Sequence, residues 1–230
     1  MSGTFDGPPK QRRSLPTLSL TDFNNQIASC SNGYPAHWRS ACSLLTRMRR
    51  QFVRPTRVSF SLALRACSRA AAWVAALTLL AKARDSRQAS PGAVNTFVWN
   101  ATMNACVQGL QWMRALVLLS ELRQPTIKSR HYYNLDADVV SYNTAIASSG
   151  VAHNWTLAIH FLQEILIVAL QPDIISCNST LAACSAAFAW EPALAVLADM
   201  LGLGFSLPRP DIVSFNSTMT ACERGRYTAR

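Results

Sequence analysis

The chain has 230 residues, half of them hydrophobic, and 22 Lys and Arg against 12 Asp and Glu, for a formal charge of +10. It is long enough to bury a large core, and no apolar run reaches the roughly 18 residues of a membrane span. The charge is uneven: residues 1–95 hold 14 basic and 3 acidic side chains, residues 96–230 hold 8 and 9. Attraction to a polyanion therefore belongs to the N-terminal half, with Arg49, Arg50 and Arg54 as candidates for phosphate contact; the plainer alternative is a solvated basic face. Residues 1–19 carry Lys10, Arg12 and Arg13 with Pro8, Pro9 and Pro16. The prolines break any continuous amphipathic helix, which predicts a disordered N-terminus and makes a poor organelle presequence.

From residue 20 a repeat takes over. Trp38, Trp73, Trp112, Trp155 and Trp190 are spaced by 35, 39, 43 and 35 residues, too regular for ordinary globular composition. Each opens an apolar ladder at steps of three and four, as in Trp38, Ala41, Cys42, Leu45, Met48 and in Trp155, Ala158, Ile159, Leu162, Ile165. Such a ladder is one face of an amphipathic helix. Upstream of each tryptophan lies a second helical stripe at i, i+4, i+7: Phe23, Ile27, Cys30; Phe60, Leu64, Cys67; Trp99, Met103, Cys106; Cys177, Leu181, Cys184; Phe215, Met219, Cys222. In the remaining copy Ser149 takes the last place. The prediction is an all-α, right-handed α-solenoid of helix-turn-helix hairpins, since neither helix of a unit can bury its stripe alone.

The units run over about 20–56, 57–95, 96–138, 139–173 and 174–211, with a sixth, 212–230, reduced to its first helix. Eleven helices are expected, each named tryptophan beginning a second helix. A solenoid normally ends on a polar cap, so the chain reads as a possible fragment of a longer array. Insertions interrupt the period at 124–137, which holds Lys128, Arg130, His131, Tyr132 and Tyr133, and at 202–209. Surface-loop variation is the plainer reading of the first; an added phosphate and stacking contact from Arg130 and Tyr132 is the alternative.

Five of the seven cysteines share one place on successive first helices, which reads as close packing by small, reduced side chains. The even spacing is expected to keep them apart. There is no CxxC pair and no HExxH, so no metal is expected. A Gly-rich phosphate loop, GxSxG, paired carboxylates on one face and the HxE with PCxxC of nucleotide deaminases are all missing. The chain is therefore expected not to be an enzyme and to need no cofactor.

The two most regular units, 139–173 and 174 onward, open in VVSYNT and IISCNS and close in Pro172-Asp173 and Pro210-Asp211. In this the chain resembles the pentatricopeptide repeat family over about residues 20–227. The resemblance implies a single-stranded RNA partner, one base per unit, carried in the concave groove. It implies base stacking by Val58, Phe97, Val140, Ile175 and Val213, with Thr21 departing from the pattern. Base choice is implied for fifth-place Asn24, Ser61, Asn100, Asn143 and Asn178, paired with closing Thr56, Asn95, Asp138, Asp173 and Asp211; Asn216 holds the fifth place of the partial unit. By the family's pairing rule Asn with Asp resembles a uridine reader and Ser61 with Asn95 an adenosine reader. The plainer reading of Asn and Asp near helix starts is N-capping.

Organelle RNA metabolism, meaning processing, stability or translation in a mitochondrion or plastid, is implied by the resemblance alone, with the cytoplasm as the other location. The protein is expected to be monomeric, without a membrane role. The alternative function is a helical-repeat scaffold for protein partners, since the same geometry makes a peptide groove. Repeated Asn and Asp flanked by Val or Ile would mark a base-binding groove; a large exposed apolar patch would mark a peptide groove.

Overall fold

The computed structural model describes residues 18–33, 37–85, 89–90, 92–123, 136–203 and 207–228. Among them are eleven α-helices and no strand. The helices are α1 (Leu20–Asn32), α2 (Trp38–Arg50), α3 (Arg57–Arg69), α4 (Trp73–Arg84), α5 (Thr96–Gln108) and α6 (Trp112–Arg123), followed by α7 (Val139–Val151), α8 (Trp155–Ile167), α9 (Ile174–Ala186), α10 (Trp190–Ala198) and α11 (Ile212–Thr228). A single π-turn, Asp199–Leu203, continues α10 to where the 202–209 insertion begins. Each of the five tryptophans is the first residue of a second helix, where its spacing puts it. The expected N-terminal disorder and the basic, aromatic part of the 124–137 insertion lie outside the described residues.

The hairpins begin and end by local chemistry. Ser19, Asn95, Asp138 and Asp173 each accept the N–H three residues on, satisfying a donor that the first turn leaves open. Asp22 closes a capping box with Ser19, and Ser141 and Ser176 do the same with Asp138 and Asp173. First helices stop at Ala71, Leu110, His153 and Phe188, which hold the left-handed conformation at φ 52, 58, 52 and 59°. That geometry costs a non-glycine residue roughly 1–2 kcal/mol, so helix packing on both sides must hold the turn. Pro192 sits in the first turn of α10, where its missing N–H costs little.

The packing has two layers. Each first helix lies against the first helix of the next unit, against its own second helix and against the second helix of the unit before. Second helices do not approach one another in this way among the described residues. The inner layer is the closer one because its contacts are made by small side chains: Ala63, Ala66, Ala105, Ala145, Ser148, Thr180 and Ala183 are all fully buried. Crowding one layer and spreading the other curves the stack, with the first helices on the concave side.

The predicted stripes form the core in the complete units, whereas Phe215 and Met219 of the predicted sixth stripe are 43 and 60% exposed on α11, since no second helix of its own covers that face among the described residues. Phe23, Ile27, Leu64, Met103, Ile146 and Leu181 are fully buried, and from the second helices Ala41, Met48, Ala76, Ala115, Ala158 and Ile165 meet them. Each buried Leu, Ile or Phe contributes about 1.5–3 kcal/mol by leaving water. Trp99 departs from a purely apolar role, since its Nε1 donates to the Leu118 carbonyl at 2.9 Å. The tryptophans at the second-helix starts have another neighbour: a Cβ placed on Gly109 would lie 2.5 Å from Trp73 Cδ1, so glycine leaves room for the indole. No described helix is long and apolar enough to cross a membrane.

Candidate nucleic-acid interface

The second residue of each first helix points away from the buried stripe. Val58, Phe97, Val140, Ile175 and Val213 are 48, 61, 55, 58 and 53% exposed, an unusual state for five equivalent apolar side chains. Their periodicity explains it: the stripe at places four, eight and eleven faces the core, so places two, five and nine share the other face. Thr21 is exposed at the same place in α1.

One groove on the concave side joins these positions across three units. It encloses about 610 Å³ and includes Phe97, Asn100, Asn104, Val140, Asn143 and Ile175 in its lining. Asp138 and Asp173 reach into it, and Arg65 and Arg69 border its N-terminal end. Apolar surfaces alternate with amides and carboxylates along its length.

The fifth-place and closing residues are joined by a network that recurs at three junctions. Asn100 Nδ2 donates to Asp138 Oδ1 at 2.9 Å, Asn143 to Asp173 at 3.0 Å and Asn178 to Asp211 at 3.1 Å. The amide oxygen of each Asn in turn accepts a serine hydroxyl from the next unit: Ser141 at 2.7 Å, Ser176 at 2.6 Å and Ser214 at 2.6 Å. Each aspartate also caps its helix through the same Oδ1, which accepts the backbone N–H of Ser141, Ser176 or Ser214. Capping and pairing with Asn are therefore one arrangement.

The amide retains capacity. A carboxamide carries two donors and two acceptor lone pairs, and the network engages one of each. One N–H and one lone pair of each amide are not engaged by the network, beside the exposed aliphatic or aromatic side chains.

Charge in the network is held on the carboxylates. Burial opposes ionisation of Asp173, but the Ser176 N–H, the Asn143 amide, the Ser176 hydroxyl and the Ile175 N–H outweigh it and bring its pKa below the ordinary aspartate value. Asp211 is lowered too, chiefly by the Ser214 N–H, with Asn178 and the Ser214 hydroxyl assisting. Both are carboxylates at neutral pH, acceptors only.

The first two units depart from this scheme. Asn24 Oδ1 accepts the Ser59 hydroxyl at 2.7 Å, and Thr56 meets Asn24 only through that shared serine. Ser61 donates to the Arg57 carbonyl of its own helix at 2.7 Å, while Asn95 caps Val98 N–H at 3.0 Å. The structure thus brings together the three Asn–Asp pairs and does not join Ser61 to Asn95. The serine that would link them is replaced by Val98, fully buried.

The sequence offers Arg49, Arg50 and Arg54 as candidates for phosphate contact, and none of the three lines this groove. Arg49 and Arg50 belong to α2 in the outer layer, and the cations that border the groove are Arg65 and Arg69 of α3. Asn104, also in the lining, escapes the sequence reading. Arg65 and Asn104 stand seven residues after Val58 and Phe97, two helical turns along the same face, and that spacing was the available signal. Arg69 Nη1 donates to the Ser31 carbonyl at 2.7 Å, which fixes the guanidinium across the α1–α3 contact. Among the described residues no group of three His, Cys, Asp or Glu could hold a metal ion.

No protein-family model matches the chain, and no curated protein matches it in sequence. Its fold, however, is that of solved pentatricopeptide repeat proteins. The crystal structure of the pentatricopeptide repeat protein PPR10 from maize superposes with a TM-score of 0.63 at 20% identity over 92% of this chain and 28% of that one. PPR10 in complex with an 18-nt psaJ RNA element superposes with a TM-score of 0.59 at 22% identity over 87% of this chain. The chain spans between a quarter and a third of the length of these proteins, 28% and 27%.

Proposed function

We propose that this chain, folded as a pentatricopeptide-type helical repeat array, binds single-stranded RNA in its concave groove without catalysing a reaction on it. The observation that carries the proposal is the threefold recurrence of an Asn–Asp pair between exposed apolar side chains, Phe97, Val140, Ile175 and Val213. Capping alone would need the aspartate and not the asparagine. A pair that presents a carboxamide and a carboxylate beside a stacking surface suits the Watson–Crick edge of a base. The RNA complex of PPR10 supports the same direction by analogy of fold.

In this reading Val58, Phe97, Val140, Ile175 and Val213 stack on bases, and Asn24 with Thr56, Ser61 with Asn95, Asn100 with Asp138, Asn143 with Asp173 and Asn178 with Asp211 choose them. With the N-terminal unit at the 5′ side the preferred sequence is a pyrimidine, then A, then three U. Arg65 and Arg69 supply phosphate attraction at the groove's N-terminal end. The site of action is organelle RNA metabolism, in a mitochondrion or plastid, and the protein acts as a monomer.

Fluorescence titration of the full chain with pyrimidine-AUUU and with a scrambled oligonucleotide, at two salt concentrations, tests the proposal. The matched sequence should bind tighter, and affinity should fall steeply with salt. Asp173→Ala should change preference at the fourth nucleotide by about 1–3 kcal/mol, whereas Arg65→Ala should weaken both oligonucleotides alike. Equal affinity for both, unchanged by Asp173→Ala, would leave charge attraction or a protein-binding scaffold as the function.

A further inference from the structure

Residues 23–84 carry ten Lys and Arg and no Asp or Glu, so the positive charge is concentrated on the first two hairpins. The groove takes only Arg65 and Arg69 of these ten. Arg47, Arg49 and Arg50 in the last turn of α2 and Arg54 just beyond it are all exposed, and Lys82 of α4 lines the same cleft as Arg49. Among the described residues no carboxylate pairs with any of these five cations. Helices α2 and α4 belong to the outer layer, so the patch lies on the convex side, away from the groove.

An apolar side chain stands among these cations. Phe52 is 96% exposed, the highest value for any large apolar side chain among the described residues. It also holds left-handed backbone at φ 58°, which is costly for a non-glycine residue. The turn does not require a phenyl ring, since Ala169 follows α8 at the corresponding place with φ 59°. A large ring kept in water on strained backbone, between cations that have no acidic partner, points to a surface that the ring enters. We propose that this patch docks on an anionic lipid surface, with Phe52 entering the boundary between headgroups and acyl chains while Arg47, Arg49, Arg50, Arg54 and Lys82 meet lipid phosphates.

The patch suits a bilayer better than a nucleic acid. Single strands are held by successive rings on which successive bases stack, and residues 47–57 hold Phe52 alone. A bilayer asks instead for an apolar tip below the headgroups and cations at the level of the phosphates, where long Arg and Lys stems place their charge. One ring is a weak anchor and five cations are a screened one, so the two together give reversible, salt-sensitive attachment. The expectation of no membrane role rests on the lack of a spanning segment, and attachment to the surface needs none. With the convex side on the lipid the groove faces away from it, so this inference stands independently of what the groove binds.

The test is flotation of the full chain with vesicles of phosphatidylcholine containing about 30% phosphatidylserine. Binding should be clear at about 0.05 M salt and at least about tenfold weaker at about 0.3 M, and vesicles of phosphatidylcholine alone should not bind. Phe52→Ala, the residue of the α8 turn, should lower vesicle affinity about tenfold, and Phe52→Trp should restore it. Ile167→Ala, which removes an apolar side chain 81% exposed in the outer layer but outside the patch, should change nothing. Arg49→Gln combined with Lys82→Gln should weaken vesicle binding and leave titration with pyrimidine-AUUU unaltered. No binding at low salt, equal binding to neutral vesicles, or the same affinity with Phe52→Ala would overturn the proposal. So would release of the bound chain by excess oligonucleotide, or RNA affinity that falls with Phe52→Ala, since either assigns the patch to RNA.

Discussion

At the junctions that follow α5, α7 and α9, an amide, a carboxylate and a hydroxyl from two successive units close one network. At the junction that follows α3, the corresponding places hold Ser61, Asn95 and Val98, and no such network exists. Yet α3 packs on α5 much as α7 packs on α9. Helix stacking in this molecule therefore depends on the apolar stripe, and the polar network is an addition concentrated where the groove runs. The net contribution of a hydrogen bond, about 0.5–1.5 kcal/mol, is small beside that of a buried aliphatic side chain.

Truncating the stripe is the largest expected perturbation and should ignore the difference between the two regions. Leu64→Ala and Leu181→Ala, both fully buried in the unaltered chain, should each cost about 2–5 kcal/mol in urea unfolding. A much milder effect at Leu181 would mean that the network, not the stripe, holds the later junctions. Gly109→Ala probes the N-terminal side on its own terms, because the new Cβ would stand 2.5 Å from Trp73 Cδ1 and 3.2 Å from the Ala71 carbonyl. Displacing the indole should cost about 1–3 kcal/mol and change Trp73 emission.

Ser176→Ala tests the network itself. It leaves the Asn143 amide oxygen without its hydroxyl donor and removes a donor from Asp173, at a cost of about 1–2 kcal/mol. The smallest effect is expected from acid. Asp173 and Asp211 have folded pKa values below the ordinary aspartate value, so their stabilisation is complete above the unfolded value of about 3.9 and is lost as pH falls through the folded ones. Hydrogen exchange as pH falls from about 4 towards 2 should show protection declining in α7 to α11 before α3 to α5, whose junction carries Asn95 in place of a carboxylate. Simultaneous loss would assign acid sensitivity to groups outside the network.

The architecture was legible because it is written in short-range periodicity. Trp112 with Leu119, or Phe60 with Leu64, needs only the 3.6-residue repeat to be assigned to a face. The network was not legible for the opposite reason: Asn143 and Ser176 are 33 residues apart, and their bond depends on how one hairpin docks on the next. Ser141, Ser176 and Ser214 were visible only as members of an opening motif. Their second role, bridging back to the preceding asparagine, requires the three-dimensional register.

The same bridging serine changes where one interchangeable module ends and another begins. A hairpin cut at its closing aspartate would leave that aspartate's helix, and the serine that locks the asparagine, on the neighbouring piece. A graft intended to carry the Asn143–Asp173 pair into another array should therefore extend at least to Ser176, three residues into α9. A graft stopped at Asp173 would inherit whatever residue its host supplies at that place, and before a valine such as Val98 the amide would lose its anchor.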